Sequence, residues 1–187
     1  MDIGRRSFLR GASLTRAGRE AATRRQRPLG PLPPWMHDLW QQDACRGCRQ
    51  PCVLACEQDI IRIHPDGHAL AGFPWLDFAG GGCTFCGECI AACPLDHTRD
   101  ATPIPGRVQL MQRRCLGWND VICLSCKGAC GARALELDRH RRVTVAVERC
   151  NGCGMCVSIC PVGALVVEPD SHAGKKFGLA TRSDVSS

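Results

Sequence analysis

The sequence predicts an α+β chain of two tandem units with short hairpins, cysteine-bearing loops and short helices, behind a disordered basic arm. Three observations carry that expectation. Sixteen cysteines fall into four groups of four, with none left over. Two groups, Cys83-Thr-Phe-Cys86-Gly-Glu-Cys89-Ile-Ala-Ala-Cys93-Pro94 and Cys150-Asn-Gly-Cys153-Gly-Met-Cys156-Val-Ser-Ile-Cys160-Pro161, share one spacing, C-x2-C-x2-C-x3-C-P. Short alternating apolar stretches broken by Gly, Asp and Arg separate the groups, as strands and turns would.

That spacing is the cysteine run of bacterial iron–sulfur ferredoxins, so the units are expected to be bacterial ferredoxin-like, 2[4Fe-4S] each. Three thiolates at i, i+3 and i+6 wrap one cubane cluster. The fourth cysteine, followed by Pro, is expected at the start of a helix, pointing away toward the neighbouring cluster. Gly87, Gly152 and Gly154 are expected to let backbone N–H groups approach the sulfurs. A disulfide framework is the first alternative, because cysteine exceeds about 8% of the chain. Four recurrences of cysteines three apart, two of them ending in Pro, argue against it. Structural zinc prefers two separated C-x2-C knuckles, whereas here three or four ligands crowd each run.

Taken in order, residues 1–34 form a basic arm and a Pro-rich linker. They hold eight Arg against Asp2 and Glu20, whereas residues 35–187 are charge-neutral. Gly4-Arg5-Arg6-Ser7-Phe8-Leu9-Arg10 resembles the start of a twin-arginine export signal. Arg16, Arg19, Glu20, Arg24, Arg25 and Arg27 then interrupt every apolar run such a signal needs, so a cytoplasmic protein is expected. A reducing cytosol also suits free thiolates. The arm's charge is compatible with an anionic surface, but aromatic interleaving is missing and no nucleic acid is expected as partner. Pro28–Pro34 reads as a stiff, extended linker. Trp35 and Trp40 are expected to pack onto the first unit.

Unit one spans residues 35–104. Its first group is Cys45, Cys48, Cys52 and Cys56, with an extra residue in the second gap and Glu57 where Pro is usual. Ile60–Ile63 alternates as a strand, Asp66-Gly67 signals a hairpin turn, and Ala69–Phe78 supplies the return. Gly80-Gly81-Gly82 then leads into Cys83, Cys86, Cys89 and Cys93. The polar, Pro-rich stretch 95–105 marks the boundary. Unit two, residues 105–168, opens with Arg107-Val-Gln-Leu-Met111. It continues through Cys115, Cys123, Cys126 and Cys130, whose first gap holds seven residues, Leu116–Ile122. Ala134–Asp138, Arg139–Arg142 and Val143–Val147 read strand, turn, strand. Cys150, Cys153, Cys156 and Cys160 and then Ala164-Leu-Val-Val167 complete the unit, and 169–187 is expected to be a disordered tail.

Interlocking predicts four sets. They are Cys45, Cys48, Cys52 and Cys93; Cys83, Cys86, Cys89 and Cys56; Cys115, Cys123, Cys126 and Cys160; and Cys150, Cys153, Cys156 and Cys130. Three to four [4Fe-4S] clusters follow, four by cysteine count. With every cysteine given a ligand role, no catalytic constellation is left and no enzyme is expected. His37, His64, His68, His97, His140 and His172 are scattered singly and read as surface or packing residues. No stretch approaches the ~18 apolar residues of a transmembrane helix. Aromatics are 5% of the chain and Tyr is absent. The apolar core is therefore thin, and metal must supply folding energy.

Together, Arg5-Arg6, Pro33-Pro34-Trp35, Cys83-Thr-Phe-Cys86, the Cys115-x7-Cys123 gap and Cys150-Asn-Gly-Cys153-Gly resemble the NapF family, ferredoxin-type accessory proteins of periplasmic nitrate reductase systems. The chain departs from that family's pattern in the three-residue gap between Cys48 and Cys52. The resemblance implies a cytoplasmic iron–sulfur protein whose partner is the catalytic subunit of periplasmic nitrate reductase, NapA. It implies help in maturing that subunit or loading its [4Fe-4S] cluster before export. A plain electron carrier serving nitrate respiration is the alternative.

Overall fold

The computed structural model describes residues 27–36, 45–95 and 103–169. The basic arm before residue 27, Trp40, and the tail after Pro169 lie outside the described residues. The described part is a small mixed helix/strand protein. Its elements run α1 (Pro51–Leu54), β1 (Ile61–Ile63), β2 (Pro74–Leu76), α2 (Glu88–Ala91), β3 (Gly106–Leu110), α3 (Ser125–Ala129), β4 (Leu135–Leu137), β5 (Val143–Val145), α4 (Met155–Ser158) and β6 (Leu165–Pro169). The strands pair antiparallel as β1–β2, β4–β5 and β3–β6.

β3 and β6 open and close the second half. Their register sets Val108 opposite Val167 and Leu110 opposite Leu165, with Arg107 opposite Glu168. The period-2 alternation turns Val108 and Leu165 inward, where Leu135 and Val143 of the β4–β5 hairpin complete the apolar contact. Arg141 takes a left-handed φ of 62° in that hairpin's turn. The first half packs a larger core of Leu32, Trp35, Met36, Ile60, Ile61, Leu70, Phe73, Leu76, Phe78, Ile90 and Ile104.

Three expectations need correction. Residues 30–34 are not a linker: all five are buried, and the Leu76 N–H donates to the Pro31 carbonyl at 2.8 Å. The segment covers the open edge of the β1–β2 sheet. Proline suits that place because it has no N–H to leave orphaned, and Gly30 because a Cβ there would strike the Trp75 ring. The β1–β2 connection is no two-residue turn either. Register Ile63↔Pro74 leaves ten residues between strands, and Asp66-Gly67 only bends the outward limb, with Gly67 at φ 82°. Finally, Cys93-Pro94 and Cys160-Pro161 follow helices rather than start them. α2 and α4 begin instead after Gly87 and Gly154, whose φ of 83° and 74° make left-handed caps.

His64 is the buried polar residue of the first half, 1% exposed. Its Nδ1 lies 2.8 Å from the Phe73 carbonyl and its Nε2 accepts the Leu29 N–H at 3.2 Å. That pair of bonds requires the neutral, Nδ1-protonated ring. His68 stacks on it at 4.6 Å and reaches the Arg27 carbonyl, so both rings pin the Pro-rich segment. Burial pushes the His64 imidazole down to about 4. The unfolded chain therefore binds the extra proton between pH 6.5 and about 4. Stability from the neutral ring is complete above pH 6.5 and is lost as pH falls through that window, by about 3 kcal/mol in full. Denaturant unfolding of the holoprotein at pH 7.5 and pH 5.5 should show the loss beginning, and His64→Gln should flatten the slope.

Candidate metal centre

Each helix is a single turn carrying one cysteine inside and another just beyond. α1 holds Cys52 and is followed by Cys56; α2 holds Cys89 and is followed by Cys93. α3 holds Cys126 and is followed by Cys130, and α4 holds Cys156 and is followed by Cys160. Two thiols four residues apart around one helical turn face different cavities. Helix pairs α1·α2 and α3·α4 pack together, so each half exchanges its last thiols.

Four cavities result. Cys45, Cys48, Cys52 and Cys93 line one. Cys56, Cys83, Cys86 and Cys89 line a second, which Trp35 and Ile60 also border. Cys115, Cys123, Cys126 and Cys160 surround a third, and Cys130, Cys150, Cys153 and Cys156 a fourth. These are the four sets named from interlocking, and all sixteen thiols are free of disulfides. Among the described residues no three His, Cys, Asp or Glu groups close on a single-ion site. The thiols stand around a space and do not converge on a point, which suits a polynuclear cluster better than one zinc ion.

The electrostatics agree. Burial, then the charges of Cys52, Cys93 and Cys48, push the Cys45 thiol up to about 12. Cys52 rises to about 11 through burial and its neighbours Cys93 and Cys48. Cys89 rises to about 12 through burial, then Cys56, Cys83 and Cys86; Cys156 reaches about 12 through burial, then Cys153, Cys150 and Cys130. Burial also raises Cys126, with Cys115 and Cys123 next. Four mutually repelling thiolates are a poor arrangement by themselves and a good one around cationic iron. The sets fit [4Fe-4S] clusters, which would supply one-electron redox chemistry.

Every set also receives a backbone N–H at sulfur. Gln50 donates to Cys48 at 3.4 Å, Phe85 to Cys83 at 3.4 Å, Ala164 to Cys160 at 3.2 Å and Ala134 to Cys130 at 3.3 Å. None of these donors is a glycine. Gly154 instead supplies the left-handed cap at φ 74° from which α4 begins. The irregular first group keeps the same plan. Gln50 takes the left-handed cap two residues before Cys52, where Gly87 precedes Cys89 and Gly154 precedes Cys156. Arg49 is therefore the extra residue, absorbed before the helix begins.

The two halves meet at their second and fourth cavities, a feature no motif announces. The Cys83 N–H donates to the Cys153 carbonyl at 2.7 Å. A Cβ on Gly82 would lie 2.7 Å from the Met155 nitrogen, and one on Gly154 would enter the Phe78 ring. The Cys83 thiol is raised by burial and, more weakly, by Cys153 from the other half. The cavities follow one another through shared helices within each half and through this junction between halves. Of the six histidines, His64 and His68 serve packing and His140 sits exposed in the β4–β5 turn; His37, His97 and His172 lie outside the described residues.

Comparison with known proteins bears on the same residues. A 4Fe-4S dicluster domain matches residues 44–97, and a 4Fe-4S binding domain matches residues 143–166. The ferredoxin-type protein NapF of Haemophilus influenzae is 34% identical over 173 residues, covering 89% of this chain and 94% of its own length. NapF of Escherichia coli K12 is 30% identical over 151 residues, covering 74% of this chain and 85% of its own. The methylamine utilization ferredoxin-type protein MauM of Methylorubrum extorquens is 30% identical, with 85% and 80% covered. [4Fe-4S] clusters are thus the cofactor of this chain. Among the described residues no helix is long and apolar enough to cross a membrane.

Proposed function

The chain belongs to the NapF family of ferredoxin-type proteins, and on that premise we propose that it is an assembly factor for the catalytic subunit of periplasmic nitrate reductase. It binds that subunit, NapA, in the cytoplasm and assists the maturation or loading of its [4Fe-4S] cluster before export. Four clusters are held by the four thiol sets: Cys45, Cys48, Cys52 and Cys93; Cys56, Cys83, Cys86 and Cys89; Cys115, Cys123, Cys126 and Cys160; Cys130, Cys150, Cys153 and Cys156. The observation that carries the reading is the near full-length match to the Haemophilus NapF, 94% of that protein. No thiol is left over for covalent catalysis. Deleting the gene should leave reductase protein present but poor in iron and inactive, and restoring it should restore both. Normal iron in the reductase from the deletion strain would sink the proposal.

A second reading, a single-electron carrier for a nitrate-respiration partner, is favoured by the junction. The Cys83–Cys153 contact sets one cavity of each half side by side, the arrangement a relay needs. The deletion strain separates the two readings. A reductase with full iron content but no electron supply is the carrier's outcome.

A further inference from the structure

Of the seven residues between Cys115 and Cys123, Leu116 lines the adjoining cavity, and the other six form a built surface outside it. Asn119 donates its side-chain amide to the Cys115 carbonyl at 2.8 Å and to Arg113 at 3.3 Å. Trp118 donates its indole N–H to the Val143 carbonyl at 3.0 Å, and the Arg142 guanidinium lies 5.2 Å from its ring. The Val121 N–H closes the loop on Leu116 at 3.1 Å. A loop anchored this way has its Trp118 indole and Asn119 amide satisfied, while Asn119 and Asp120 stay exposed. It nonetheless presents Ile122 at 82% exposure and Val121 at 50%, with Leu124 and Ile159 also exposed. All four adjoin one thiol set, since Val121, Ile122 and Leu124 flank Cys123, and Ile159 precedes Cys160. Leu54 is more exposed still, at 88%. It stands alone, however, and a single surface Leu calls for no explanation.

Along the stretch that carries the patch, cations outnumber anions. Over residues 111–130 the exposed ions are Arg113, Arg114 and Lys127 against Asp120 alone. An apolar centre with a basic, Arg-bearing rim is the anatomy of a protein-binding surface, and its field selects an acidic counterpart. The same field disfavours the two occupants nearest at hand. The chain's own N-terminal arm carries eight Arg, and a second copy would set one basic rim against another.

We propose that the loop Leu116–Ile122, with Leu124 and Ile159, is the docking surface for the client protein, received through an apolar patch edged with carboxylates. The proposal rests on the assembly-factor reading and adds where the client sits: beside the set Cys115, Cys123, Cys126 and Cys160, at the opposite end of the row of cavities from Cys45.

Full-chain holoprotein titrated with unexported nitrate reductase catalytic subunit tests it. Ile122→Asp should weaken binding about tenfold or more, the effect of charging the centre of an interface. Ile122→Leu should bind as the parent does, and so should Leu54→Asp. Iron content should be equal throughout, and parent affinity should fall with added salt. If Ile122→Asp binds as tightly as the parent, the surface is wrong and the assembly-factor reading stands. If the parent itself does not bind the subunit, both fall. If Ile122→Asp changes only self-association in sedimentation, the patch is a homodimer contact and the proposal is overturned.

Discussion

Removing iron and sulfide anaerobically under reducing conditions is expected to unfold this protein, not merely to bleach it. The three strands other than β3, β5 and β6 that frame the cavities are three residues long, β5 is no longer, and three of the four helices are four residues long. Helices this short do not persist alone, helices under about 12 residues being marginal in water, and neither do isolated two-stranded hairpins. The second core has six fully buried members, of which Cys126 and Cys156 are themselves thiol-set residues. Without the cluster, each set becomes thiols, most of them partly buried, around a void. The loss should therefore be the whole folding free energy, about 5–15 kcal/mol for a small domain, because cluster binding is folding energy here. Far-ultraviolet circular dichroism and Trp fluorescence of the stripped protein check this. The second half should go first, reported by Trp118 leaving the Val143 carbonyl, since the first core has eleven buried residues, with Trp35, Phe73 and Phe78 among them, whereas the second has six and no aromatic ring. An apoprotein that still melts cooperatively near the holoprotein's midpoint would refute the expectation.

Gly154→Ala should be the most damaging single substitution outside the cysteines. A left-handed φ of 74° costs an L-residue about 1–2 kcal/mol. The new Cβ also enters the Phe78 ring, and overpacking adds about 1–3 kcal/mol. The sum, roughly 2–5 kcal/mol by those two principles, should appear in denaturant unfolding of the holoprotein. Gly67→Ala is the control. Its φ is 82° but nothing lies within 4 Å of a Cβ there, so only the backbone cost of about 1–2 kcal/mol applies. Equal losses at the two positions would mean that the packing of the halves contributes nothing. Iron analysis of both variants separates a loosened junction from a lost cluster.

Much of the metal centre was legible because its signals are local. Thiol spacing of three and four residues is short against the persistence of the chain, so the same thiols meet wherever those loops form. The β4 and β5 strands were legible from alternation at Leu135 and Val143. Other readings failed for identifiable reasons. Pro28–Pro34 is extended whether solvated or buried, and only the open edge of β2 decides which. Cys-Pro resembles a helix start because Pro suits the first turn, yet the left-handed Gly87 and Gly154 start α2 and α4 six residues earlier. Asp66-Gly67 is a turn signal without information on how much chain the turn must carry.

By itself, the sequence determined the cofactor, since the [4Fe-4S] reading follows from cysteines at short, regular intervals. Tertiary structure alone decided that residues 30–34 close the first core and that Gly82, Cys83, Cys153 and Gly154 join the halves. Both depend on surfaces from distant parts of the chain fitting together, and a missing Cβ at Gly82 or Gly154 acquires meaning only when Met155 or Phe78 arrives to fill its place.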